Sequence, residues 1–299
     1  MPEGLIIKAL SGYYYVLPEE AQEHRVITCR ARGVFKKRGL SPLVGDRVKY
    51  ELSGEAEGTV TEILPRRTEL IRPPMANAET AVLVFSVAEP DLNLQLLDKF
   101  LVHVESAGLQ PFICFTKRDL IRDEKGKHEV DAAERLYSGI GYPVFITSAI
   151  HGMGFEPVKE ALKGKIGVFA GQSGVGKSSM LNALVPGLRL ETNAISQKLG
   201  RGKHTTRHVE LIRLTDDAWI ADTPGFSQLD FMDLEPVQLG NCFVEFVPFA
   251  ESCRFRGCLH HNEPGCSVIE AVEQGRIASS RYKHYLIFLQ EMKDKKRRY

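Results

Sequence analysis

Gly171-Gln172-Ser173-Gly174-Val175-Gly176-Lys177-Ser178 fills every fixed position of the phosphate-loop pattern G-x-x-x-x-G-K-[ST]. The run Lys165-Ile166-Gly167-Val168-Phe169-Ala170 before it reads as a buried strand, and the residues from Lys177 onward read as a helix. That is the context in which the pattern holds phosphate. Gly171, Gly174 and Gly176 permit close backbone approach and left-handed dihedrals, so N–H groups can surround a β-phosphate while the helix adds its positive end. Lys177 would bridge the β- and γ-phosphates and so serve turnover as well as binding. The Ser178 hydroxyl would ligate Mg²⁺, and Gln172, Ser173, Val175 and Ser179 complete the phosphate-binding set.

Working outward, the other nucleotide motifs are present in an unusual order. Thr116-Lys117-Arg118-Asp119 and Thr147-Ser148-Ala149, which have the form of base-reading segments, precede the phosphate loop, and Asp222-Thr223-Pro224-Gly225 follows it. In an ordinary GTPase the base segments come after the loop, so this order implies a circular permutation. A compact domain tolerates it because its termini lie close together on the surface, but the new ends then need flanking modules. Residues 81–87, 111–115, 143–147 and 218–221 are apolar runs of the kind found in strands buried on both faces of a parallel sheet. Each nucleotide motif stands at the carboxyl end of such a run, where open α/β sheets bind ligands. Leu94, Leu97, Phe100, Leu101 and Val104 make a helical stripe that reads as core packing.

Asp119 is the expected guanine reader, since its carboxylate can accept from N1–H and the exocyclic amine, groups that adenine does not present. Lys117 would pack its stem along the base, and the backbone of Ser148 and Ala149 would meet guanine O6. Thr116 stands where the common N-K-x-D motif has asparagine, so the amide contact is missing and a modest affinity is expected. Asp222 would hold Mg²⁺ through water and the Gly225 N–H would meet the γ-phosphate. Phe226 follows, and an apolar side chain cannot orient a water. The glycine-rich segment from Gly200 to His208 supplies Thr205 and Thr206 as Mg²⁺ candidates and His204 as the candidate catalytic group that orients water; the alternative for His204 is a plain surface histidine.

At 299 residues the chain exceeds what one core usually supports. Three units are expected: residues 1–68, 69–233 and 234–299. The first holds five short β-rich segments, which suggests an OB-type barrel. Arg30, Arg32, Lys36, Lys37 and Arg38 cluster there as RNA candidates, against the alternative of a solvated basic loop beside core tyrosines. The net charge of +1 excludes a global field for polyanions. No stretch is long and apolar enough to cross a bilayer, and Met1-Pro2-Glu3-Gly4 lacks a secretion-signal start, so a cytoplasmic protein with no membrane partner is expected; a monomer is the separate expectation for its assembly state.

The third unit carries Cys253, Cys258, His260 and Cys266 in the spacing C-x₄-C-x-H-x₅-C, a complete tetrahedral set for a structural zinc, with His261 the competing imidazole. A mixed apolar and basic helical stretch follows, ending in Lys293-Asp294-Lys295-Lys296-Arg297-Arg298.

With barrel, permuted nucleotide site, Arg201-Gly202-Lys203-His204-Thr205-Thr206 before D-T-P-G-F, and cysteine cluster in that order, the whole chain resembles the RsgA family. These are circularly permuted GTPases that act in maturation of the small ribosomal subunit. The resemblance implies a mixed α/β fold of barrel, GTPase domain and helical zinc module. It also implies a low intrinsic GTP hydrolysis to GDP, stimulated by the small subunit, and binding to ribosomal RNA.

Overall fold

The computed structural model describes residues 1–19, 25–37, 39–71, 73–185, 187–190, 209–222 and 234–296. Strands β1 (Glu3–Leu10), β2 (Tyr13–Pro18), β3 (Ile27–Ala31), β4 (Arg47–Leu52) and β5 (Glu57–Ile63) close a barrel in the order β1-β2-β3-β5-β4 and back to β1. Period-two alternation builds its core: Ile6, Val16, Cys29, Val48 and Val60 are fully buried. The fourth strand starts later than the run at Val44 suggests. Gly45 turns there at φ +89°, and a Cβ on it would lie 2.0 Å from the Ala76 carbonyl oxygen. The basic stretch between β3 and β4 includes a one-turn helix, α1 (Gly33–Lys37).

Buried Asp46 accepts from Arg66 Nε and Nη2 at 2.8 Å each and from the Leu43 N–H at 2.7 Å. This bidentate pair pins the chain as it leaves the barrel for the hairpin β6 (Glu69–Ile71) and β7 (Pro74–Ala76).

A six-stranded sheet follows: β8 (Thr80–Ser86), β9 (Gln110–Thr116), β10 (Val144–Ile146), β11 (Ile166–Ala170), β12 (Glu210–Arg213) and β13 (Trp219–Asp222). Its order is β10-β9-β8-β11-β13-β12, parallel throughout except for β12. Every residue of β8 is buried, as both faces are covered. Ala81, Leu83 and Phe85 pack with α2 (Leu94–Ser106) and α3 (Glu124–Ile140). Val82 and Val84 pack with α4 (Phe155–Leu162) and α5 (Lys177–Leu184) on the other face. The sheet continues into the barrel through β12 and β1, where Lys8 pairs with Glu210 and their side chains meet at 2.8 Å.

The C-terminal region is helical: α6 (Pro236–Leu239), α7 (Val247–Ala250), α8 (Ser267–Glu273) and α9 (Ser279–Lys296). Its apolar cluster of Phe243, Phe246, Tyr285 and Phe288 extends onto Val102 of α2. Buried charge crosses the same seam. Arg281 donates to Asp98 at 2.6 Å and to Glu245 at 2.7 and 3.0 Å, its guanidinium 4.6 Å from the Phe243 ring centroid. Asp98 also accepts from Tyr137 at 2.6 Å and meets His284 Nδ1 at 2.5 Å. Burial opposes the Arg281 charge, but Asp98 and Glu245 hold it and raise its pKa. Among the described residues no helix is long and apolar enough to cross a membrane.

Candidate nucleotide and metal sites

The sheet brings three sequence motifs to one end. Thr116 closes β9, Thr147 follows β10 and Gly171 follows β11. Parallel pairing continues past β10, where the Thr147 N–H donates to the Phe115 carbonyl at 2.8 Å. The phosphate loop can be built only with glycine at its start: Gly171 lies at φ +143°, and a Cβ would fall 2.2 Å from the Val84 carbonyl oxygen. Gly174 and Gly176 are also left-handed, at +80° and +99°, and the second delivers the chain into α5. Lys177 reaches back over the loop and donates to the carbonyls of Gly171 at 2.8 Å and Gln172 at 2.5 Å. The ammonium is therefore folded over the start of the loop. Ser178 and Ser179 follow in the first turn of α5, beside Lys177.

The base segments line a pocket of about 170 Å³ together with Gly176, Ser179 and Met180, so it opens directly beside the phosphate loop. Lys117, left-handed at φ +59°, turns the chain out of β9, and its ammonium donates to the Glu89 carbonyl. Asp119 lies one turn on, and its carboxylate accepts from the Ser148 hydroxyl at 2.5 Å. Ser148 thus fixes the direction of the Asp119 carboxylate, a contact the sequence did not suggest. Its own N–H donates to the Met153 carbonyl at 3.0 Å, whereas Ala149 lines the pocket. Thr116 lines the same pocket, with its hydroxyl 2.5 Å from the Val175 carbonyl oxygen. The Thr147 hydroxyl, buried in the pocket wall, has no hydrogen-bond partner among the described residues.

Other candidates fall at or beyond the edge of what is described. His204, Thr205, Thr206, Gly225, Phe226 and Arg38 lie outside the described residues. For Asp222, Lys36 and Lys37 the backbone alone is described; Asp222 closes β13 opposite Glu210. Of the remaining RNA candidates, Arg30 stacks over the Tyr13 ring at 4.9 Å and Arg32 pairs with Glu51 at 2.9 Å on the barrel surface.

Cys253, Cys258, His260 and Cys266 bring one ligand atom each to within 4.8 Å of one another. The Cys253 and Cys266 sulfurs are 3.8 Å apart, and His260 Nδ1 lies 3.6 and 3.3 Å from them. Tetrahedral zinc with bonds of about 2.3 Å to sulfur and about 2.0 Å to nitrogen separates its ligands by about 3.5–3.8 Å, so the set fits that ion. Burial pushes the Cys258 thiol up to about 12, and a bound cation would reverse this because it takes the thiolate.

His260 rather than His261 turns inward because it adopts φ +50°, with its carbonyl held by the Tyr282 hydroxyl at 2.8 Å. Burial works against the Glu263 carboxylate, yet the N–H groups of His261, Leu259 and Asn262 donate to it, and its pKa falls to about 2. That carboxylate ties the turn on which His260 sits.

Comparison with known proteins matches two stretches of the chain to family models. Residues 63–232 match the RsgA GTPase family model and residues 3–60 match the RsgA N-terminal domain. The small ribosomal subunit biogenesis GTPase RsgA of Bacillus pumilus is 53% identical over 299 residues, covering 100% of both chains. That of Bacillus subtilis is 52% identical over the same span, again 100% of each. Among solved structures, YloQ, described as a circularly permuted GTPase, superposes with a TM-score of 0.85 at 44% identity, covering 99% of this chain and 96% of that one. YjeQ from Thermotoga maritima gives 0.86 at 39% identity, over 97% and 98%.

Proposed function

The chain belongs to the RsgA family of circularly permuted GTPases, and on that premise we propose that its GTP hydrolysis times a late step in maturation of the small ribosomal subunit. The observation that carries this reading is the shared pocket: guanine-reading and phosphate-binding loops meet on its two sides.

In the proposed mechanism the N–H groups from Gly171 to Ser179 hold the β-phosphate, and Lys177 bridges to the γ-phosphate, whose far side meets the Gly225 N–H. Asp119 accepts from guanine, Lys117 covers the base, and Ala149 donates to O6. Ser178 and Asp222, with one of Thr205 and Thr206, are hard oxygen donors that suit Mg²⁺. When bound, that ion neutralises charge developing on the phosphate oxygens. His204 orients the attacking water, a task closed to Phe226.

Residues 1–68 are assigned to ribosomal RNA through Arg30, Arg32, Lys36, Lys37 and Arg38, residues 69–233 to the GTPase, and residues 234–299 to a module built on one structural zinc. The protein works as a cytoplasmic monomer that alternates between GTP and GDP. Multiple-turnover phosphate release, measured with and without purified small subunits, tests the reading. Subunits should raise the rate, and His204→Ala should lower it roughly 10²-fold while leaving GTP affinity unchanged. Absence of repeated turnover with subunits present would make the nucleotide a static ligand of an assembly factor.

A further inference from the structure

We infer that Thr116 is a positioning residue: its hydroxyl clasps the base-reading loop to the phosphate loop through the Val175 carbonyl, and it does not read the base. This rests on the GTPase reading and gives one side chain a task within it. The hydroxyl lies 2.5 Å from the Val175 carbonyl oxygen and 3.3 Å from that of Phe85. A hydroxyl has one proton to give and both neighbours are acceptors, so the shorter contact takes it.

Val175 needs that donor. It is 1% exposed and stands between Gly174 and Gly176, both left-handed. The first bond of α5 runs from the Met180 N–H to the Gly176 carbonyl at 2.9 Å, one residue beyond Val175. The Val175 carbonyl is therefore a buried acceptor supplied from another strand, and the clasp sets the distance between the two halves of the nucleotide site. A Cβ built on Gly176 would lie 3.6 Å from the Thr116 oxygen, so the gap between the two segments there is about one methyl group wide.

The same geometry removes Thr116 from base recognition. With its proton committed to Val175, the oxygen can present only lone pairs to the pocket, and guanine N7 and O6 are acceptors as well. Two acceptors facing each other make no bond. Selectivity for guanine then falls to Asp119, and N7 goes unread by Thr116.

The test measures release of fluorescently labelled GDP from the full chain in wild type, Thr116→Val and Thr116→Ser, with 7-deaza-GDP as competitor. Valine keeps the shape but leaves the Val175 carbonyl without its donor, so release should quicken about tenfold, whereas serine should stay within about twofold of wild type. In all three proteins 7-deaza-GDP should compete as well as GDP. Unchanged release from Thr116→Val, or serine as fast as valine, would overturn the clasp. A preference for GDP over 7-deaza-GDP that disappears in Thr116→Val would make Thr116 a base reader and overturn the second half. Failure of wild type to bind GDP would remove the GTPase reading and this inference together, while the other outcomes leave that reading standing.

Discussion

The nucleotide cleft gathers its polar groups from three strand ends between Thr116 and Ser178, whereas the thiol–imidazole cluster takes all four of its ligands from residues 253–266. In the cleft, geometry is inherited from a parallel sheet whose two faces are packed, so the order in which the chain visits the strands does not matter and a permuted chain builds the same site. In the cluster the surrounding helices are short, and α6 and α7 have four residues each. A bound ion would tie the ligand stretch beside the apolar core of Phe243, Phe246, Tyr285 and Phe288. The cleft should therefore lose function piecemeal when single residues change, and the cluster should fail as a unit.

The sharpest break between the two is Cys258→Ala. Structural zinc contributes about 10–16 kcal/mol of apparent binding energy in zinc-finger peptides, and in a small module that energy is folding energy. The variant should carry no stoichiometric zinc and should be cut by protease within residues 234–296, yet bind GDP nearly as wild type does. Elemental analysis, limited proteolysis and GDP titration report the three expectations. A GDP affinity that collapses with the metal would show that the two regions are not separable.

The seam between them is the next test. Asp98→Ala leaves Arg281, 1% exposed, without its closest carboxylate partner, and His284 and Tyr137 lose theirs as well. Breaking one side of a buried ion pair costs about 3–5 kcal/mol. Denaturant unfolding should show a loss of that size, with the C-terminal helices exchanging amide hydrogens before the sheet does. A loss below about 1 kcal/mol would place the pair among surface ion pairs in energetic weight and contradict its burial.

Within the cleft, Asp119→Asn should reverse base choice. The amide donates where the carboxylate accepted, which penalises guanine about 10³-fold and favours xanthine, whose extra oxygen accepts. Competition among GTP, ATP and XTP decides it. Comparable affinity of the unaltered protein for ATP would sink the assignment of Asp119.

What the sequence made legible follows the same contrast. The phosphate loop, the buried strands and the cysteine spacing could be read because each is local: apolar runs such as residues 81–87, glycines at fixed intervals, and ligands a few residues apart. Strand β12 was hidden, since Glu210-Leu211-Ile212-Arg213 is too short and too polar at its ends to stand out, and it is held by pairing with β13 and β1. Arg281 and Asp98 are 183 residues apart, so no window contains both. The choice of His260 over His261 depends on one backbone angle, and the tasks of Thr116 and Ser148 depend on contacts across loops. Residue type announced the site, but partner and direction came only with the fold.

The smallest expected effect comes from Thr147, and it separates a group held for a ligand from one held for the fold. Its hydroxyl is buried in the pocket wall with no partner among the described residues, while the Ser148 hydroxyl beside it is bonded to Asp119. A buried hydroxyl without a partner destabilises the protein that carries it, by about 1–3 kcal/mol on mutational scales. Thr147→Val keeps the branched shape and removes that penalty, so the nucleotide-free protein should gain about 1 kcal/mol in denaturant unfolding. Guanine presents O6 as an acceptor, and a hydroxyl free to donate at the pocket wall would find its partner there. The same variant should therefore bind GDP about fivefold more weakly, stability rising as affinity falls. Beside the cysteine cluster the Tyr282 and Tyr285 hydroxyls already donate to the carbonyls of His260 and Leu259, so neither has this character. Greater stability with unchanged GDP affinity would make Thr147 an ordinary packing residue and leave base recognition to Asp119 and Ala149.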